Sequence, residues 1–96
     1  MQGRQATTAH KQITILGSTG SVGLSTLDVI SRHPDRYQVY ALTANNNVDL
    51  MLTQCQRYRP RLAVMRDAQA AAQLLAQLEQ AGLSIEVRSG ESGLVQ

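Results

Sequence analysis

Short aliphatic runs alternate with longer stretches of helical period along this chain. Ile13 to Leu16 is an apolar, largely β-branched run and reads as a first strand. Val22, Thr26, Val29, Ile30 and His33 recur with the spacing of one helix face. Pro34 restricts His33 and lacks a backbone donor, so "HPD" ends that helix. Tyr37 to Ala44 is a second strand, and Asn45, Asn46 and Asn47 form a polar turn suited to open a helix. Val48, Leu50, Met51, Leu52, Cys55 and Tyr58 mark that helix, which closes before Pro60. Arg61 to Met65 is a third strand. Asp67 then caps an alanine- and leucine-rich helix up to Ala81, with Gly82 as its C-cap. Ser84 to Ser89 completes the series as a fourth strand.

The order β-α-β-α-β-α-β implies right-handed crossovers and a parallel sheet covered on both faces. The expected fold is therefore α/β, a partial Rossmann-like doubly wound sheet. Residues 11–96 make up the first part of such a domain, and the stop at Gln96 suggests a piece of a longer chain. "MQGRQATTAH" (residues 1–10) lacks acids and large aliphatics, and is expected to be a disordered tail or an extension.

Composition narrows the function. No apolar stretch approaches the ~20 residues needed to span a bilayer, and none resembles a signal-peptide core. Net charge is only +2, with three Tyr and no Phe or Trp to stack on bases, which argues against nucleic acid. Arg57, Arg59, Arg61 and Arg66 read as a solvated patch where a helix gives way to a strand. Cys55 is the lone cysteine, expected as a small buried hydrophobe, and a reducing cytoplasm fits.

The candidate chemistry lies in "ITILGSTGSVGLSTLDVI", where Gly17, Gly20 and Gly23 stand between the first strand and the first helix. At that junction a doubly wound sheet binds a dinucleotide diphosphate on the free amides and positive dipole end of the helix. Gly17 supplies unusual backbone angles, Gly20 clears the phosphate's approach, and Gly23 permits close packing. Thr19 and Ser21 add hydroxyl donors. No Gly-Lys-Ser/Thr closes the motif, so a P-loop is disfavoured. An NAD site usually carries an acid at the end of the second strand. Here that place reads "TANNN", and three amides in place of a carboxylate favour NADP.

The whole stretch "TILGSTGSVGLSTLDVI" resembles the N-terminal signature of the 1-deoxy-D-xylulose 5-phosphate reductoisomerases. "HPDRYQVYALTA" and "QCQRYRPRLAVM" are similar to the segments that follow in that family, and the likeness runs from Lys11 to Val95. The resemblance implies an NADPH-dependent enzyme of isoprenoid biosynthesis. It would rearrange and reduce a sugar phosphate to 2-C-methyl-D-erythritol 4-phosphate with Mg²⁺ or Mn²⁺, in the bacterial cytoplasm or a plastid, as a homodimer. It further implies that Thr19, Gly20, Ser21 and Val22 contact the cofactor diphosphate. Asn45, Asn46 and Asn47 would face the adenosine ribose and its 2′-phosphate. Family members often carry a basic residue where this chain has asparagine.

No catalytic or metal-ligating residue is expected in these 96 residues. Asp28, Asp35, Asp49 and Asp67 do not pair at ligand spacing, and His33 reads as a helix-end residue. The chain alone is expected to be inactive, with an unpaired sheet edge that favours self-association. Two alternatives stand beside this reading. One is another G-x-x-G-x-x-G NADP reductase of the semialdehyde dehydrogenase type, which needs a cysteine nucleophile farther along the chain that Cys55 does not supply. The other is a nucleotide-binding module without chemistry.

Overall fold

A computed structural model describes residues 11–90. The expected tail at residues 1–10 therefore lies outside the described residues. The elements run in chain order as β1 (Lys11–Ile15), α1 (Ser21–Ser31), β2 (Tyr37–Ala44), α2 (Val48–Tyr58), β3 (Leu62–Met65), α3 (Ala68–Gln80) and β4 (Glu86–Ser89). The strands form one parallel sheet in the order β1-β2-β3-β4.

Each crossover steps to the next strand in the same direction, so right-handed connections set all three helices against one face. Burial agrees with that placement. Ile15, Val39, Leu42, Ala44, Ala63 and Met65 from the strands join Leu27, Met51, Cys55, Leu74 and Leu78 from the helices in one core cluster. The expected two-sided cover is thus represented, in the described residues, by its layer on one side.

Strand alternation is interrupted once. Ile13 pairs with Val39 but Thr14 pairs with Ala41, so Tyr40 is an extra residue on β2. Both Val39 and Leu42 consequently face the core although they are three residues apart.

Helix α1 departs from expectation in the face it buries. Gly23, Leu27 and Ile30 are its buried residues, whereas Val22 and Val29 are 79% and 53% exposed. His33 lies beyond the helix end, and its amide bonds the Ile30 carbonyl at 3.0 Å. α2 begins at an Asn47 cap, whose side chain accepts from the Leu50 amide at 3.1 Å. α3 begins at an Asp67 cap, which accepts from the Ala70 amide at 2.9 Å. Gly82, with φ +75°, follows the last turn of α3.

Candidate nucleotide site

The three glycines serve three different physical needs. Gly17 has φ +68°, a conformation that L side chains rarely adopt. At Gly23 a Cβ would sit 2.3 Å from the Gly17 carbonyl oxygen and 2.7 Å from the Ser18 Cα. The first turn of α1 therefore rests directly on the loop backbone. At Gly20 a Cβ would meet only the Gly17 oxygen at 3.5 Å, an ordinary contact. Packing within the protein leaves room for a side chain there, so the open space in front of Gly20 is available to a ligand.

The loop is held from two sides. The Gly17 amide donates to the Thr43 hydroxyl at 3.0 Å, and the Ser18 amide donates to the Thr43 carbonyl at 2.7 Å. From α2, the Gln54 side-chain amide donates to the Ser18 carbonyl at 2.8 Å. Ser18 and Gln54 are both buried, so these bonds are shielded from water. The loop is thus clamped between the tip of β2 and the middle of α2.

Helix α1 opens at Gly20 with no side-chain cap and no acid in its first turn. The other two described helices open on a capping side chain, Asn47 or Asp67. The first amides of a helix lack partners inside it, so the start of α1 offers Ser21, Val22 and Gly23 N–H groups to an anion. A cleft of about 400 Å³ lies at this end, lined by Leu16, Gly17, Thr19, Gly20, Thr43, Ala44 and Asn45. It sits at the carboxyl end of the parallel strands, where open α/β sheets bind ligands. Two other hollows, of about 280 and 240 Å³, flank Tyr58 away from the glycine loop.

The expected residues divide accordingly. Thr19, Gly20 and Asn45 line the cleft together. Ser21 and Val22 stand at the helix start, with their side chains beside Ser25, Thr26 and Val29 on the outer surface of α1. Asn46 is exposed in the turn. Asn47 uses its side-chain oxygen to cap α2, so its NH₂ group is the part of that side chain not engaged in the cap. Thr43, Gln54 and Ser18 escaped the sequence reading as functional residues. A glutamine at helical spacing between Met51 and Tyr58, on an otherwise apolar face, is the signal that could have found Gln54.

Cys55 is buried in the core, and burial pushes its thiol up to about 12. Cys55 therefore does not supply the nucleophile that a semialdehyde dehydrogenase type of chemistry requires farther along the chain. Among the described residues no group of three or more His, Cys, Asp or Glu side chains could hold a metal ion.

Comparison with known proteins decides among the remaining readings. The family profile of 1-deoxy-D-xylulose 5-phosphate reductoisomerase matches residues 13–96. The chain belongs to the 1-deoxy-D-xylulose 5-phosphate reductoisomerase family. The reductoisomerase of Pseudomonas putida is 55% identical over 86 residues, covering 90% of this chain and 22% of its own length. That of Nitrosomonas eutropha is 56% identical over 87 residues, covering 91% and 21%. Among solved reductoisomerases, the Zymomonas mobilis protein in complex with NADPH superposes with a TM-score of 0.83 at 44% identity. That match covers 91% of this chain and 22% of the other. A DOX-P reductoisomerase in complex with magnesium gives a TM-score of 0.85 at 37% identity, with the same two coverages. The chain therefore spans about a fifth of the length of the reductoisomerases it matches. Its fold is the first part of their Rossmann-like domain. No described helix is long and apolar enough to cross a membrane.

Proposed function

We propose that this chain is the NADPH-binding part of a 1-deoxy-D-xylulose 5-phosphate reductoisomerase. The whole protein would convert that sugar phosphate to 2-C-methyl-D-erythritol 4-phosphate as a cytoplasmic homodimer. The observation that carries the reading is the uncapped start of α1, opening beside a cleft at the carboxyl end of the sheet. Membership of the family and the NADPH complex of a relative supply the cofactor's identity.

The amides of Ser21, Val22 and Gly23 would face the diphosphate, and Gly20 would leave it room. Thr19 lines the cleft at the same place, and its hydroxyl can donate to a phosphate oxygen. Asn45 and the NH₂ of Asn47 would bound the adenosine ribose. When bound, NADPH supplies the hydride for the reduction. The contribution of this chain is binding and orientation, which convert an encounter into a positioned reaction. The divalent ion of the family finds no fitting ligand cluster among the described residues.

Isothermal titration of the protein with NADPH, NADH and ADP tests the reading. Saturable NADPH binding that is lost in Gly20→Val supports it. Absence of binding by both dinucleotides overturns it.

A further inference from the structure

The turn that would meet the ribose 2′ position carries no charge of its own. Asn45, Asn46 and Asn47 are all neutral, and Asn47 already spends its acceptor oxygen on the Leu50 amide. Neutral donors can tolerate a phosphate, but a dianion among them needs a counter-charge to be preferred over a hydroxyl. The sequence places no cation in that turn. The fold brings one beside it.

Beyond β3 the chain is stitched to the turn residue by residue. The Arg66 amide donates to the Ala44 carbonyl at 2.9 Å, and the Asp67 amide donates to the Asn45 carbonyl at 3.0 Å. Arg66 is exposed, and its backbone is one strand spacing, about 4.8 Å, from the residues that begin the turn. Ala44 and Asn45 line the cleft, so the Arg66 backbone is bonded directly to one of the cleft's lining residues and adjoins the next.

Of the other described cations, Arg32 at the end of α1 pairs with Asp28 at 2.9 Å. Arg88 on β4, one strand farther from the turn than β3, pairs with Glu86 at 2.6 Å. Lys11 and Arg36 meet at the opposite end of the sheet, where their backbones bond at 3.0 Å. Arg57 and Arg59 lie at the far end of α2, and Arg61 precedes β3 with its amide on the Tyr40 carbonyl. Two acids also stand near the turn. Asp67 turns its carboxylate onto the start of α3, where the Ala70 amide and the helix dipole balance it. Asp49 is exposed in the first turn of α2 and opposes a phosphate from that side.

We propose that Arg66 selects a 2′-phosphorylated dinucleotide by placing its guanidinium against the 2′-phosphate from the neighbouring strand end. The inference rests on the nucleotide reading above and names the residue that gives the site its preference. A guanidinium suits the role because its planar fork meets two phosphate oxygens at once and stays charged at every working pH. The backbone bonds at Ala44 and Asn45 do not depend on the side chain at position 66, so the residue can be changed without unstitching the turn.

The test is calorimetric titration of the protein with NADPH and with NADH, in the wild type, Arg66→Gln, Arg66→Glu and Arg61→Gln. The wild type binds NADPH more tightly. Arg66→Gln loses about tenfold to a hundredfold in NADPH affinity, the scale of one charge-assisted bond, and keeps its NADH affinity. Arg66→Glu reverses the preference, with NADH binding serving as proof that the site is folded. Arg61→Gln removes the same charge at the far end of β3 and leaves both affinities unchanged. A wild-type ratio of the two affinities in Arg66→Gln overturns the role of Arg66 while leaving nucleotide binding in place. Failure of the wild type to bind both dinucleotides overturns the nucleotide reading itself, and this inference with it.

Discussion

Thr43 holds Gly17 through its side chain: the Gly17 amide donates to the Thr43 hydroxyl at 3.0 Å, across 26 residues of sequence. The carbonyl of the same threonine takes the Ser18 amide, so one residue at the tip of β2 sets the path of the loop. Thr43→Val keeps the shape and removes the acceptor. It should cost about 1 kcal/mol of stability, while Thr43→Ser should cost less. NADPH affinity should fall more in the valine variant than stability alone explains, as thermal melts with and without nucleotide would register. Equal nucleotide-induced shifts in both variants would refute this use of the hydroxyl.

Gln54 braces the loop from behind. Gln54→Leu leaves the buried Ser18 carbonyl without its donor, and should destabilise by about 1–3 kcal/mol. The change should be local. Hydrogen exchange at the amides of residues 17–19 should accelerate relative to exchange in α3. Uniform acceleration along the chain would mean that Gln54 serves general stability only.

Gly20 and Gly23 should respond in opposite ways to one added methyl group. Gly23→Ala drives a carbon into the backbone of Gly17 and Ser18, and should lower stability by about 3 kcal/mol or prevent folding. Gly20→Ala meets only an ordinary contact and keeps a permitted backbone, with φ −85°, so it should cost about 1 kcal/mol or less. Its expected effect is on the ligand. Chemical denaturation measures the first quantity and calorimetric titration the second.

Cys55 supplies a pH dependence. Its thiol is raised from 9.0 to about 12 by burial, so the folded protein keeps it protonated where the unfolded chain would ionise it. The linked stability is complete below pH 9 and is lost as pH climbs from about 9 toward 12. Cys55→Ala should flatten that decline in denaturation series between pH 8 and about 10.5. At pH 8 a thiol reagent should label the native protein far more slowly than the unfolded one.

The sequence reading located β2 and α2 at Tyr37–Ala44 and Val48–Tyr58, the bounds observed. Both are framed by strong punctuation: Pro34 before β2, three asparagines between the two, and Pro60 after. The buried face of α1 was not legible. Val22, Thr26 and Val29 share the helical period of Gly23, Leu27 and Ile30, so periodicity could not tell which stripe turns inward. The choice is made by Gly23, whose missing side chain lets the helix settle on the loop. Thr19 and Gly20 belong to a strand, glycine loop and helix start that are all local features, whereas Asn45 was singled out by its place at the end of the second strand; all three line the cleft. The clamp of Thr43 and Gln54 was hidden because it joins residues 26 and 36 positions from their partners.

The spare residue at Tyr40 gives β2 two independent phases. Ahead of it, Val39 is set by the hydrophobic layer; behind it, Thr43 is set by the glycine loop. In a strand with strict alternation, fixing one of these would dictate the other, and a correctly packed base would rotate the threonine hydroxyl into the apolar interior. The kink uncouples the two demands, so the packing end of this strand can change in sequence without detuning the end that grips the loop.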